Sequence, residues 1–143
     1  MWRNVLVIMV MLWVTDLDAE THVPRLSLYD GVTGEVFLGC LNCRASDPRS
    51  VWNRYGRFGN PASPDSIWNA RGIYGAPVSP LSPWHPATAV GPMIRDLDGR
   101  DFGRFSRSAG EATTALFWLE WILVHHETVR ADLPTYRRHF VGD

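Results

Sequence analysis

Residues 50–59 read SVWNRYGRFG and residues 66–75 read SIWNARGIYG, so one unit returns after sixteen residues. Its front half returns once more at residues 82–85 as SPWH. The register extends upstream, because Pro48, Pro64 and Pro80 each stand two residues before the repeated serine. Tandem copies usually serve architecture or multivalent binding, whereas an active site needs unlike groups brought together once. The sequence therefore predicts a repeat region over residues 47–90 rather than a catalytic centre.

Within a copy, the local chemistry predicts the start of a short helix. Ser63 offers a cap hydroxyl, Pro64 suits the first helical position, and Asp65 places a carboxylate in the first turn. The glycines after the Trp-Asn pair are expected to end that helix early. The third copy departs from this pattern, because His85-Pro86 replaces the asparagine and the glycine-rich tail. A degenerate last copy is typical of a capping repeat.

Two hairpins are predicted on either side of the repeats. In residues 25–46, apolar runs at 25–29 and 35–38 flank a loop with two glycines, and in residues 91–107 similar runs flank Asp98-Gly99. Asp-Gly between apolar runs is a strong hairpin signal. We expect the two hairpins to pair into one small antiparallel sheet. The fold class is then α+β, completed by one C-terminal helix.

That helix is predicted over residues 109–127, because apolar residues recur there at three- and four-residue spacing without a proline. Trp118 and Trp121 form a second stripe beside the first, so the helix is either buried on two sides or awaits a partner. Pro134 is expected to end any continuation, which leaves residues 128–143 as a tail.

Residues 1–19 have the three parts of a secretory signal peptide: Arg3, an apolar run and a polar exit. The apolar run is too short to span a bilayer. We therefore expect a single small domain, residues 20–143, that is exported to the periplasm or the extracellular space and does not span the membrane after cleavage. The formal net charge of −1 gives no field that would draw the chain onto nucleic acid, so that partner is not expected.

Cys40 and Cys43 are the only cysteines and are the sharpest chemical candidates. Arg44 stands where a c-type haem site needs histidine, so that interpretation fails. A disulfide or thiol pair, a redox-active or other thiol enzyme, and a zinc site completed by His85 stay open. No catalytic residue, metal or cofactor is assigned on the leading interpretation, and zinc is the alternative.

Aromatic and arginine side chains alternate in the repeats. We expect Trp52 and Trp68 to be the cores of their own copies, since a unit rich in glycine and proline has little else to bury. The ligand-binding candidates, which could stack on sugar rings, are Tyr55, Phe58, Tyr74, Arg54 and Arg57. A glycan or an envelope protein is the partner that this surface suggests.

The run from Phe37-Leu38-Gly39 through the repeats to residues 102–105 resembles a group of small exported bacterial proteins with tandem tyrosine- and glycine-rich repeats. The resemblance covers residues 26–106 and implies an exported bacterial protein, without supplying a catalytic residue. Arg71 stands where the repeat usually has an aromatic residue, and the third copy lacks the repeat's glycines.

The function predicted is that of an exported, non-enzymatic binding or envelope-associated module, whose repeat surface contacts a polymer such as a glycan or a protein partner. One alternative is a thiol- or metal-dependent enzyme, or a zinc-stabilised domain, that uses Cys40 and Cys43. Another is a subunit of an envelope complex that docks through the C-terminal helix, which exposure of Trp118 and Trp121 would favour.

Overall fold

The computed structural model describes residues 23–107 and 118–142. The elements are β1 (Ser27–Tyr29), β2 (Phe37–Cys40), β3 (Met93–Arg95), β4 (Asp101–Arg104), α1 (Trp118–Ala131) and α2 (Leu133–Phe140). The strands form one sheet in the order β2-β1-β3-β4, and each neighbouring pair is antiparallel. The predicted α+β class and the pairing of the two hairpins are therefore confirmed.

Each hairpin is held by one buried aspartate at the start of its loop. The Asp30 carboxylate accepts hydrogen bonds from the backbone N–H groups of Val32, Thr33, Glu35 and Val36. Burial alone would raise the pKa of Asp30, but these hydrogen bonds hold it well below its usual range. Asp96 accepts in the same way from the N–H groups of residues 98 and 100, and Gly99 supplies the positive φ of 80° that this turn needs.

The repeat region consists of turns, so the prediction of short helices is wrong. Backbone N–H groups bond to carbonyls three residues earlier, as from Ser66 to Ser63 and from Asn69 to Ser66. The side chains of Ser66 and Asn69 also accept from the N–H group two residues further on, at Trp68 and Arg71. Because these local bonds compete with a helical pattern, each turn closes before a helix can form.

Three stacked rings run through the repeat region, and we call them the tryptophan ladder: Trp52, Trp68 and Trp84. All three are at most 1% exposed. Successive ring centroids lie 5.5 and 5.3 Å apart. Their indole N–H groups donate to the carbonyls of Leu41, Val51 and Ile67, at 2.7, 2.6 and 2.7 Å. Trp52 and Trp68 are thus core residues, as the sequence predicted, and each copy is bonded to the one before it.

The third copy is more complete than its sequence suggested. His85 takes over the role of the asparagine, because its Nδ1 accepts the N–H of Ala87 at 3.1 Å. Gly91, sixteen residues after Gly75, occupies the last glycine position of the copy, where a Cβ would lie 2.8 Å from the Cβ of Ser106. The interpretation that this copy lost its glycines is therefore corrected: the final one is kept because it packs against the end of the second hairpin.

The C-terminal part contains two helices where one was predicted. Helix α1 runs past residue 127 to Ala131 and is kinked at His125. Asp132 caps α2 by accepting the N–H of Thr135, and Pro134 lies in the first turn, where its missing N–H costs no hydrogen bond. The same proline was expected to end the helix, and it instead helps to start the next one. Residues 109–117 of the predicted helix, like the predicted signal peptide at 1–19, lie outside the described residues.

Both helices pack on the tryptophan ladder. Trp118 and Phe140 lie 6.2 Å from the Trp52 ring, measured between centroids. At the other end, His126 stacks on Trp84 at 4.7 Å with only 5° between the ring planes. The ladder is therefore enclosed between the start of the repeats, the second hairpin and the helical pair. In the described part of the chain, no helix has the length and apolar character needed to cross a bilayer.

Candidate functional site

Cys40 and Cys43 form a disulfide with an S–S distance of 1.98 Å, which confirms the disulfide alternative. Both are buried at the end of β2, where the N–H of Cys40 donates to Arg49 and its carbonyl accepts from Val51. The hydroxyl of Ser50 donates to the carbonyl of Cys43. The bridge therefore closes a short loop after β2, and the hydrogen bonds of Cys40 and Cys43 join that loop to the first repeat.

The zinc alternative of Cys40, Cys43 and His85 gains no support. The two sulfurs are bonded to each other, and the Nδ1 of His85 is engaged by a backbone N–H. Within residues 23–107 and 118–142, no group of three His, Cys, Asp or Glu side chains lies close enough to hold a metal ion.

The five ligand-binding candidates do not share one surface. Phe58 packs edge-on against Phe37 of β2, with 4.9 Å between centroids. Arg57 lies over the Phe58 ring, and its Nε is 2.6 Å from the carboxylate of Asp65. Phe58 thus belongs to the packing between the repeats and the sheet, whereas the Arg57 side chain is 70% exposed and pairs with Asp65 of the second copy.

Tyr74 is likewise partly buried, and it packs against the hydrophobic core. Burial raises the pKa of its phenol, and the nearby carboxylates of Asp30 and Asp65 raise it further. The Tyr74 ring therefore contributes mainly to the packing of the hydrophobic core.

Tyr55 and Arg54 stand apart from these three. Tyr55 is 82% exposed, and the guanidinium carbon of Arg54 lies 4.9 Å from its ring centroid. The Asn53 side chain stabilises the turn that carries Arg54 and Tyr55. Its amide oxygen accepts the N–H of Tyr55, and its amide nitrogen donates to the carbonyl of Asp47. The exposed Tyr55 ring, with the Arg54 guanidinium over it, is therefore carried by a turn that side-chain hydrogen bonds stabilise.

These two residues border a cleft of about 430 Å³, which we call the Tyr55 cleft. Arg54, Tyr55, Asn60 and Pro61 line it from the repeats, and four residues around the α1–α2 turn, among them Arg130 and Pro134, line it from the helices. The lining contains a phenol, two guanidinium groups and an amide but no carboxylate, imidazole or thiol, so its groups suit the binding of a polar ligand.

Arg130 is the unusual member of the cleft. Its Nε and one terminal nitrogen are buried and have no hydrogen-bond partner in residues 23–107 and 118–142. Burial lowers the pKa of its guanidinium, and the charge of Glu127 partly opposes that effect. Sequence reasoning placed Arg130 in an uninformative tail, since only the packing of α1 on the repeats brings it beside Tyr55.

His126, one turn before Arg130, is also buried, and neither ring nitrogen has a hydrogen bond of normal geometry with the described residues, although the Leu123 carbonyl lies close enough to affect the pKa. Burial lowers its pKa, and the charges of Arg130 and Arg107 act in the same direction, while the Leu123 carbonyl and Glu127 oppose them. The ring is thus favoured as neutral imidazole against Trp84.

A second cavity, of about 390 Å³, is the α1–α2 groove, lined mainly by aromatic rings that include Trp118, Trp121, Tyr136 and Phe140. Trp118 is 7% exposed and Trp121 is 39% exposed. The helix-docking alternative relied on exposure of both rings, and only Trp121 meets that condition, so docking stays a prediction that rests on one side chain.

A larger cavity, of about 570 Å³, lies beside the disulfide and is lined by Arg25, Arg44 and Arg49 among others. Asp47 lies in the same lining and pairs with Arg49 at 3.3 Å, which offsets part of the charge. No aromatic ring lines this cavity. The Tyr55 cleft is the one that combines an exposed ring with unpaired cations.

Comparison of the chain with models of protein families, with curated proteins and with solved structures finds no match. The chemistry of the cleft is therefore the basis for inferring a function.

Proposed function

We propose that the protein is an exported, non-enzymatic module of the bacterial envelope that binds a glycan at the Tyr55 cleft. The observation that carries this proposal is the exposed Tyr55 ring, with Arg54 above it, at the edge of a cleft lined by hydrogen-bond donors. The face of a sugar ring is largely C–H, so a flat aromatic side chain can pack on it while polar neighbours bond its hydroxyls.

The geometry favours a local sugar site over a long polymer track. Tyr55 is replaced by Arg71 and Ala87 at the equivalent positions of the second and third copies. The aromatic platform therefore does not recur along the repeats, unlike the successive platforms on which single-stranded nucleic acid stacks. The Tyr55 cleft is formed by the first repeat and the α1–α2 turn, and the other two copies lack its aromatic residue. A single cleft of this kind fits a short stretch of a glycan chain.

Two features support export as part of the proposal. Residues 1–19 have the pattern of a secretory signal, and a buried disulfide is typical of proteins in oxidising compartments. The likeness of the repeats to those of small exported bacterial proteins points the same way.

The test is sedimentation of the purified protein with insoluble cell-wall polysaccharide. We expect Tyr55→Ala to reduce the bound fraction at least tenfold. Val78→Ala is the matched control, because Val78 is 87% exposed at the end of the second copy and does not line the Tyr55 cleft. Equal binding by the wild type and by Tyr55→Ala would refute the assignment of this cleft.

A further inference from the structure

We infer that the ligand of the Tyr55 cleft is an acidic saccharide, a sugar that carries a carboxylate, with its ring on Tyr55 and its anion between Arg54 and Arg130. This inference rests on the proposed function and names the class of glycan. It follows from three features of the cleft: a half-buried guanidinium with two unpaired nitrogens, an exposed guanidinium without an acidic partner among the described residues, and a lining without a carboxylate.

The half-buried cation is Arg130. Its Nε and one terminal nitrogen have no hydrogen-bond acceptor among the described residues, and Glu127, whose charge raises the pKa of this guanidinium, forms no ion pair with it. A buried donor without an acceptor is costly, and a buried charge without a partner is costlier. A carboxylate in the adjoining cleft would supply the missing counter-charge.

The exposed cation is Arg54. Arg57, only three residues further along, is paired with Asp65, whereas Arg54 has the Tyr55 ring as its contact among the described residues. Its fork of N–H donors is therefore free to meet a planar carboxylate, for which a guanidinium is well matched.

Asn60 adds a further donor to the lining. Its amide oxygen already accepts the N–H of Ala62 at 2.9 Å, which leaves its NH₂ group to donate. Arg54 and Arg130 also line the cleft, so the lining carries two guanidinium groups, one amide and no carboxylate that would repel an anion. A neutral sugar would leave both cations unpaired, whereas an acidic sugar pairs them.

The test measures binding of tetragalacturonate and of its methyl ester to the purified protein by calorimetry at low salt. The two probes share the same sugar rings and differ in charge. We expect the acid to bind at least tenfold more tightly than the ester, and this difference to shrink as salt is raised, because screening weakens exposed ion pairs.

Three arginine variants localise the effect. Arg54→Gln and Arg130→Gln should each weaken binding of the acid about tenfold and weaken binding of the ester far less, because the ester loses at most a neutral hydrogen bond while the acid loses a charge pair. Arg138→Gln is the matched control, since Arg138 is exposed on α2 and does not line the cleft. Arg54→Gln keeps the test decisive even where Arg130→Gln alters the packing, because Arg54 lies on the surface.

The outcomes separate this inference from the proposed function. Equal affinity for acid and ester, lost in both cases with Tyr55→Ala, would overturn the acidic class and leave glycan binding in place. Binding of inorganic phosphate as tight as that of the acid would also overturn it, because the site would then recognise an anion without its sugar. Failure of both probes to bind would refute a uronate ligand, and the wall-sedimentation result would then decide the proposed function alone.

Discussion

The tryptophan ladder and the helical pair that covers it differ in how they treat buried polar groups. In the ladder, the indole N–H groups of Trp52, Trp68 and Trp84 all donate to a backbone carbonyl. In the helices, buried side-chain nitrogens of His126, Arg130 and Arg137 make no hydrogen bond of normal geometry within the described part of the chain. An unpaired buried polar group costs stability. The tryptophan ladder therefore stabilises the fold through paired groups, whereas the helical pair retains polar groups that do not contribute to folding.

The largest expected effect is in the ladder. Trp68→Ala should lower the free energy of unfolding by about 4 kcal/mol, because it removes a fully buried ring and leaves the carbonyl of Val51 without its donor. Urea denaturation followed by circular dichroism measures this value. Trp121→Ala is the control in the helices and should cost about 1 kcal/mol, since Trp121 is 39% exposed. Similar losses from both variants would contradict the contrast.

Loss of the disulfide before the repeats is expected to give the second-largest decrease in the free energy of unfolding. Replacing both Cys40 and Cys43 with serine is expected to cost about 2 kcal/mol, the value for opening a short cross-linked loop. Chemical reduction of the wild-type protein should give the same loss in the same denaturation experiment. If reduction changes nothing, the purified protein does not contain the bridge.

A single hydroxyl in the ladder should have a smaller but clear effect. Ser66→Ala removes the buried Oγ that accepts the N–H of Trp68, and we expect a loss of about 1.5 kcal/mol. Ser79→Ala is the comparison from the third copy, where the hydroxyl is only partly buried. A larger loss from Ser79→Ala would show that burial does not set the cost.

His126 should make stability depend on pH. Its pKa in the folded state lies below the ordinary value of 6.5, so below about pH 6.5 the unfolded chain takes up a proton that the folded chain resists. Stability should therefore fall by up to about 1 kcal/mol between pH 7 and pH 5.5, and His126→Phe should remove that part of the loss. His125→Phe, at an exposed position, should leave the pH dependence intact.

The smallest expected change in stability is at Arg130, and it tests directly whether the unpaired groups of the helices contribute to folding. Arg130→Met removes an unpaired buried charge while keeping an apolar stem, so stability should be unchanged or should rise by about 0.5 kcal/mol. Thermal unfolding measures the change. A marked loss of stability would mean that Arg130 contributes to folding and is not kept for a ligand.

The sheet and the ladder could be predicted because their signals are local. Asp98-Gly99 marks a hairpin, and the recurrence of Trp52 at Trp68 and Trp84 marks a packing unit that must be buried. The turn structure of the repeats could not be separated from short helices, since Ser66 and Asn69 support either outcome and the competing side-chain bonds decide it.

The second helix and the cleft were missed for different reasons. Asp132 and Pro134 have the spacing of a helix start, and this signal was present but was interpreted as a stop. The meeting of Tyr55 with Arg130 has no local signal, because 75 positions separate them in the sequence and only the packing of α1 on the ladder brings them to one cleft.

The bonding of each repeat to its predecessor also limits how this chain can change in length. Successive rings of the ladder are about 5.4 Å apart, so gaining or losing one sixteen-residue copy displaces everything after it by roughly that distance. Strand β3 follows the last copy and pairs with β1, which precedes the first, with Tyr29 opposite Met93. Neighbouring strands lie about 4.8 Å apart, so such a displacement is as large as one strand spacing. A change in the number of copies would therefore have to be absorbed where the last copy meets β3, which links the length of the repeat region to the closure of the sheet.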